Sequence, residues 1–314
     1  MANYLVTGGA GFIGSNIVEV LVERGDGVRV LDDFSTGFEA NLADFASRIE
    51  VHRGTIASPE DCARACADMD YVLHHAALPS VSRSVSDPLA SHTFNATGTL
   101  NMLVAARDAR VKRLVYASSS SVYGDQPVDE KHEGLPVRPR SPYAAAKASG
   151  EHYLQAFSEC FGLETVALRY FNVFGPRQDP NSPYSAVIPR FICAMQAGEA
   201  PEIQGDGLQA RDFTYVENNV YANLQAATGD FDARGQAYNI ACGTSYTLLD
   251  LVAAINGALG TAIKPHFVAP RVGDVRISKA AIARAQDGLH YGVRVPFEAG
   301  LGRTLAWYRA RPAS

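Results

Sequence analysis

Tyr143 and Lys147 stand four residues apart in the stretch Ser141-Pro142-Tyr143-Ala144-Ala145-Ala146-Lys147. Pro142 suits the first turn of a helix, where a missing N–H costs nothing. The alanines after it are the strongest helix formers. Residues four apart on a helix share a face, so an ammonium would sit beside a phenol. That pair is a way to hold a tyrosinate near neutral pH. A free phenol ionises near pH ~10, so the site must supply about three units, roughly 4 kcal/mol. A tyrosinate can take the proton of a carbinol hydroxyl, and a serine can relay it. The run Ser118-Ser119-Ser120-Ser121 offers that serine at the end of a strand pattern, Arg113-Leu114-Val115-Tyr116-Ala117. The run does not itself say which hydroxyl is used.

The chain must bring these groups to an oxidant. Asn3-Tyr4-Leu5-Val6-Thr7 reads as a buried parallel strand and runs into Gly8-Gly9-Ala10-Gly11-Phe12-Ile13-Gly14. A helix follows, with Ile13, Ile17 and Leu21 on one stripe and Gly25 as its stop. Val28-Arg29-Val30-Leu31-Asp32 is the second strand. The glycines let backbone approach a pyrophosphate, and the helix N-terminus favours its charge. Asp32 is placed for the adenosine ribose hydroxyls and would repel a 2′-phosphate, so NAD is favoured over NADP. The positive nicotinamide would add to Lys147 in lowering the phenol.

Strand and helix patterns alternate through the first half. Ile49–His52 and Asp70–His74 read as strands, and His75-Ala76-Ala77 follows the latter, where small residues let backbone and cofactor meet. A long helix is expected from Asp87 to Ala109, carrying Asn95, and Thr165–Tyr170 closes the sheet. Near Asn172 the elements shorten and Pro and Gly become frequent. Pro189–Met195 reads as helix, Asp212–Val216 as strand, and Leu248–Leu259 and Phe297–Arg311 as helices. The expected fold is α/β, a doubly wound parallel sheet over residues 1–171 with a smaller lobe over 172–314. A segment near 212–241 is expected to return to the first domain.

The chain has 314 residues, with 28 Lys plus Arg against 33 Asp plus Glu, a formal net charge of −5. That disfavours nucleic acid and anionic membranes as partners. No apolar run approaches a membrane span, and the N-terminus enters a strand without a signal-peptide pattern. Five scattered cysteines make neither a disulfide framework nor a zinc site. The expectation is a cytoplasmic enzyme with no metal.

Gly8-x-x-Gly11-x-x-Gly14 together with Tyr143-x-x-x-Lys147 resembles the extended short-chain dehydrogenase/reductase family, a Rossmann-fold group. The resemblance covers nearly the whole chain. It implies NAD contacts from Gly8, Gly11, Phe12, Ile13, Gly14, Asp32, Ile56, Ala76, Ala77, Asn95, Tyr143, Lys147 and Tyr170. Aligned on Val122-Tyr123-Gly124, Ser119 matches the family's relay serine. The dehydratases and decarboxylases of this family carry acids in the serine run, and here those positions are Ser120 and Ser121. Reversible oxidation at C4 of a sugar remains, which is epimerisation.

Three further stretches look like UDP-hexose 4-epimerases. Arg169-Tyr170-Phe171-Asn172-Val173-Phe174-Gly175 matches a motif whose Asn contacts the UDP diphosphate. Arg211, after Gly205-Asp206-Gly207, matches a diphosphate arginine. Arg271-Val272-Gly273-Asp274 matches a second such arginine and a uridine-ribose aspartate. Two guanidiniums suit a diphosphate. Ser80, Ser119, Tyr143 and Val187 are implied as further substrate contacts. Ser278 stands where glucose-restricted epimerases carry a bulky Tyr, leaving room for an N-acetyl group at C2. Gln178–Pro189 also looks like the bacterial UDP-N-acetylglucosamine 4-epimerases. The expectation is UDP-GlcNAc to UDP-GalNAc. UDP-glucose/UDP-galactose and UDP-glucuronate stay open, the last through Arg190, and so does a non-catalytic NAD-sensing protein. Thr55 replaces an adenine-contacting Asp, and Pro79-Ser80 a Lys-bearing loop. The resemblance also implies a homodimer through helices near 87–109 and 142–161.

Overall fold

The computed structural model describes residues 1–180, 186–270 and 276–310. Seven parallel strands form the central sheet: β1 (Asn3–Thr7), β2 (Gly27–Asp32), β3 (Glu50–Arg53), β4 (Tyr71–His74), β5 (Arg113–Ser119), β6 (Glu164–Tyr170) and β7 (Arg234–Ile240). Their order is β7-β6-β5-β4-β1-β2-β3, so the winding reverses between β1 and β4. Side chains alternate along each strand, and both faces are buried. Tyr4, Val6, Val115, Ala117, Val166 and Leu168 enter one core. Leu5, Leu114, Tyr116 and Ala167 enter the other.

α1 (Phe12–Glu23) and the helix Val216–Thr228 pack on each other over the first face. The helices Pro59–Cys66 and Gly98–Asp108, with α2 (Pro142–Phe161), cover the second. α2 begins where the sequence says it should. The Ser141 hydroxyl accepts the Ala144 N–H at 3.2 Å, Pro142 follows, and Gly162 closes the helix at φ +70°.

Three elements differ from the sequence expectation. The helix expected over 87–109 runs Pro88–His92, then one π-helical turn over Thr93–Thr97, then Gly98–Asp108. The π turn carries Asn95, and such turns often mark functional places. The strand expected over 212–216 is only Thr214–Tyr215, because Val216 already begins a helix. That helix, Val216–Thr228, has no clear apolar stripe in sequence, since it buries Asn218, Asn219 and Asn223 beside its alanines and valines.

The remaining chain forms small pieces at the C-terminal ends of the strands. Tyr246–Thr247, Ala210–Arg211 and Ile277–Ser278 pair as one sheet. Glu202–Gln204 pairs with His266–Val268, and Val173–Phe174 with Thr214–Tyr215. Rings of Phe174, Phe213, Tyr215, Tyr246 and Phe297 stack or meet edge-on, with centroids 4.2–6.5 Å apart. This cluster is continuous with the first face of the main sheet.

Candidate active site

The turn after β1 and the turn after β4 meet where the strand order reverses, the usual ligand crevice of such sheets. Gly8 has φ +68°, and a Cβ there would lie 2.7 Å from the Ala76 N. A Cβ on Gly14 would lie 2.2 Å from the Gly8 carbonyl oxygen. Only hydrogen fits at either place. Gly11 caps α1 without a side-chain bond, so the first N–H groups of the helix keep no intrahelical or cap partner. An anion is the partner such a turn is shaped for. Asp32 ends β2. Its carboxylate accepts the Ala10 and Phe34 N–H groups at 2.9 and 2.8 Å. Burial raises its pKa, against the pull of those two N–H groups. Each oxygen keeps a second lone pair, and Asp32 lines the cavity beyond.

That cavity holds about 750 Å³. It runs from Asp32, Thr55 and Ile56 past Gly8, Gly11, Phe12, Ile13 and Gly14 to Ala76, Ala77 and Ser80, ending at Ser119, Tyr143, Lys147 and Tyr170. The loop Asp33 to Phe38 also lines it, a stretch with no motif to announce it. A second chamber of about 300 Å³ shares Asn172, Val173 and Ala186 with the first. The two form one trough.

The wall after β4 is pinned from below. The Thr7 hydroxyl oxygen accepts the N–H groups of His75 and Ala76, both at 3.1 Å. Its proton therefore goes to His74 Nδ1, 2.7 Å away, and His74 Nε2–H donates to Thr99 at 3.2 Å. Burial pushes the His74 pKa well down, so this chain is neutral. Asn95 is buried, and its amide accepts the Leu78 N–H at 2.8 Å and donates to the Leu78 carbonyl at 3.0 Å. Asn95 thus fixes the loop 75–80 and does not itself line the cavity. Ser80 caps the helix Val81–Ser86 with φ +94°, a conformation few L residues adopt.

At the far end, Tyr143 and Lys147 share the face of α2 turned to β5. Lys147 is 2% exposed and donates to the Ala117 carbonyl at 2.7 Å. Its Nζ lies 5.9 Å from the Tyr143 ring centre and 4.7 Å from that of Tyr116. Burial lowers the Lys147 pKa to about 7, and the Glu151 charge opposes that fall. Burial pushes the Tyr143 phenol up to about 12, and a hydrogen bond with Ser119 pulls it down. The Ser119 oxygen accepts the Ser121 hydroxyl at 2.9 Å and the Ser121 N–H at 3.2 Å. Ser118 points elsewhere, to Glu151. Of the four serines, Ser119 is the one against the phenol. Tyr170 faces the same cavity, with its hydroxyl held by His75 Nε2 at 2.9 Å and Asn223 at 2.6 Å.

The second chamber lies between Val187, the start of the helix Val187–Gln196, and Arg211. Arg190 also lines it, 3.9 Å from Glu202. Asn172 stands at the junction of the chambers with φ +33°. Arg271 and Asp274 lie outside the described residues. Ser278 is buried, pairs in register with Arg211, and lines neither chamber among the described residues. It meets the trough through its strand neighbour, a different position from the sugar wall expected in sequence.

Asp212, beside Arg211, is a structural acid that sequence reading did not assign. Its carboxylate accepts the N–H groups of Cys242 and Gly243 at 2.8 and 2.9 Å, and that of Ala280 at 3.4 Å. Burial nonetheless raises its pKa to about 6. The folded chain therefore holds this proton more tightly than the unfolded chain, where an aspartate titrates near ~3.9. Between these values folding stability falls as pH rises, by on the order of 2 kcal/mol. Urea unfolding from pH 4 to 6.5 should show that slope in the native protein, and Asp212→Asn should flatten it.

A family model described as the NAD dependent epimerase/dehydratase family matches residues 4–241. The UDP-N-acetylglucosamine 4-epimerase from Methanobrevibacter ruminantium M1, solved in complex with UDP-N-acetylmuramic acid, is 40% identical. It superposes at a TM-score of 0.94, with 98% of each chain covered. The UDP-glucose 4-epimerase of Thermotoga maritima, solved with UDP-glucose, is 36% identical at a TM-score of 0.93, covering 98% of this chain and 99% of that one. The UDP-glucose 4-epimerase of Mycolicibacterium smegmatis is 38% identical over 97% of this chain and 98% of its own.

Proposed function

The chain belongs to the NAD dependent epimerase/dehydratase family, and on that premise we propose that it is a UDP-hexose 4-epimerase whose preferred substrate is UDP-N-acetylglucosamine. One observation carries the reading. Tyr143, Lys147 and Ser119 converge at one end of a single cavity whose other end is the glycine turn and Asp32.

The glycine turn, Asp32, Ala76, Ala77 and Lys147 would hold NAD, whose positive ring and reversible two-electron chemistry serve oxidation at C4 of the sugar. Tyr143 takes the proton of the C4 hydroxyl directly or through Ser119, and returns it when the 4-keto sugar is reduced on its other face. The phenol must first be ionised. Bringing it from about 12 to near neutrality takes roughly 7 kcal/mol. The Lys147 ammonium, 5.9 Å from the ring centre, favours the phenolate. The positive ring of a bound NAD would add to Lys147 in lowering the phenol.

Arg211 and Asn172 are assigned to the diphosphate, and Val187 to the uridine end, because they line the second chamber. Arg271 and Asp274 are assigned to the same end by motif. The N-acetyl preference is supported by the likeness to the Methanobrevibacter enzyme. Arg190, the cation considered for the carboxylate of UDP-glucuronate, already faces Glu202 at 3.9 Å. Among the described residues no helix is long and apolar enough to cross a membrane. We read the enzyme as cytoplasmic, on its five free thiols, and as a homodimer, on the exposed Leu89, Tyr153 and Phe161 of the helices Pro88–His92 and α2.

Coupled assays with UDP-GlcNAc, UDP-glucose and UDP-glucuronate test this. The highest kcat/KM is expected for UDP-GlcNAc, from a preparation that light scattering weighs as a dimer. Turnover of UDP-glucuronate alone would overturn the substrate assignment.

A further inference from the structure

α2 carries a third chemistry-bearing side chain at the same four-residue spacing as Tyr143 and Lys147, namely Glu151. Its side chain is 10% exposed and pairs with Arg169, itself 6% exposed. Arg169 Nε donates to Glu151 Oε1 at 2.9 Å and Nη2 to Oε2 at 2.6 Å, a bidentate clamp. The Ser118 hydroxyl donates to the same Oε1 at 2.5 Å. Ser118 and Arg169 are cross-strand partners in β5 and β6. Ser118 also lies between Ala117, whose carbonyl accepts the Lys147 ammonium, and Ser119, the relay hydroxyl. The carboxylate therefore grips the strand segment from which both active-site partners project.

We propose that Glu151 is a positioning residue of the proton-transfer site, holding the end of β5 in register with α2 and keeping Lys147 protonated. This rests on the reading of Tyr143 as the base. The surroundings of Lys147 otherwise work against its charge. On its own helix lies Tyr143. From β5 comes the Tyr116 ring, unionised because burial raises its pKa well above the usual range. From the end of β4 come His74 and His75, both held neutral by burial. From β6 comes Arg169, a fixed cation over the Tyr123 ring. Among the described residues, Glu151 is the carboxylate whose charge opposes the loss of the Lys147 proton. Arg169 in turn holds that carboxylate in place and offsets part of its field.

The two members of the pair should act on Lys147 unequally, since only Glu151 carries the charge that opposes loss of its proton. The chain has five lysines, so 13Cε-labelled holoenzyme gives few NMR signals, and Lys147→Arg identifies the one in question. In Glu151→Gln the Lys147 midpoint is expected to fall by about one unit. In Arg169→Lys, which keeps a cation on the carboxylate, it is expected to stay near its native value. The alkaline limb of kcat should move down with the midpoint in Glu151→Gln, while KM for the UDP-sugar stays put. A merely structural role predicts no shift, or the same shift in both variants, and either result overturns the proposal. If Glu151→Gln does not fold, Glu151→Asp keeps the charge but withdraws it, and a smaller downward shift is expected. An unmoved midpoint there also overturns it. The titration needs no turnover, so a native enzyme inactive on every UDP-sugar would refute the epimerase reading and not this one.

Discussion

Tyr143→Phe should lower kcat about a thousandfold, roughly 4 kcal/mol, while the protein still binds NAD. The ring of Tyr143 contributes packing that Phe retains, and the helix around it is capped by Ser141 and Pro142 independently of the phenol. What is lost is one oxygen, the atom hydrogen-bonded with Ser119. Among the described residues, the two other titratable rings lining the cavity cannot replace it. Tyr170 faces the same space, but its hydroxyl is already held by His75 and Asn223, and burial raises its pKa further than that of Tyr143. His75 is held neutral near pKa 4, too weak a base for a sugar hydroxyl. Quantifying NAD in the denatured supernatant beside the coupled assay separates the outcomes. Loss of NAD together with activity would mean that the phenol holds the cofactor. Retained activity would remove Tyr143 from the chemistry altogether.

The first half of the chain was legible because its signals are local. Buried parallel strands read as apolar runs, the glycine turn declares itself, and α2 has its cap, its proline and its alanines in one stretch. The pair Tyr143 and Lys147 follows from helix geometry alone, and the structure places both at the cavity wall. The parts that were not legible depend on distant partners. Val216–Thr228 hides its helical stripe because three of its buried residues are asparagines: Asn218 donates to the Val295 carbonyl, and Asn223 to the Tyr170 hydroxyl and the Asn219 carbonyl. Asp212 looks like a surface acid beside Arg211 until the backbones of 242–243 and 280 close around it. Glu151 carries no motif of its own. Its role depends on Arg169 and Ser118, which a sheet register brings together from residues far apart in sequence. Ser278 shows the same limit from the other side. Its small size is legible, but whether it walls a sugar or supports Arg211 is decided by a two-residue strand pairing.

Gly14→Ala should abolish retention of NAD, with apparent affinity down at least about a hundredfold, and should cost roughly 1–3 kcal/mol of folding stability. The added methyl would stand 2.2 Å from the Gly8 oxygen and 2.8 Å from both the Gly8 carbonyl carbon and the Gly9 Cα. All three are backbone atoms, so no side chain can swing aside. Relief requires the turn to lift from α1. Gly8 cannot retreat toward the sheet, since its own amide is tied to the Leu31 carbonyl at 2.8 Å and its α-carbon already abuts Ala76. The displacement must therefore go outward, into the space where a pyrophosphate would meet the N–H groups of α1. Gly25→Ala is a fair contrast. That glycine also has positive φ, +78°, but nothing lies within 4 Å of its added Cβ, so the substitution costs backbone strain alone. Isothermal titration with NAD and thermal unfolding of both variants decide the matter. If Gly14→Ala binds NAD as tightly as the native protein, the glycine turn is not the pyrophosphate seat and the cofactor enters this cavity another way.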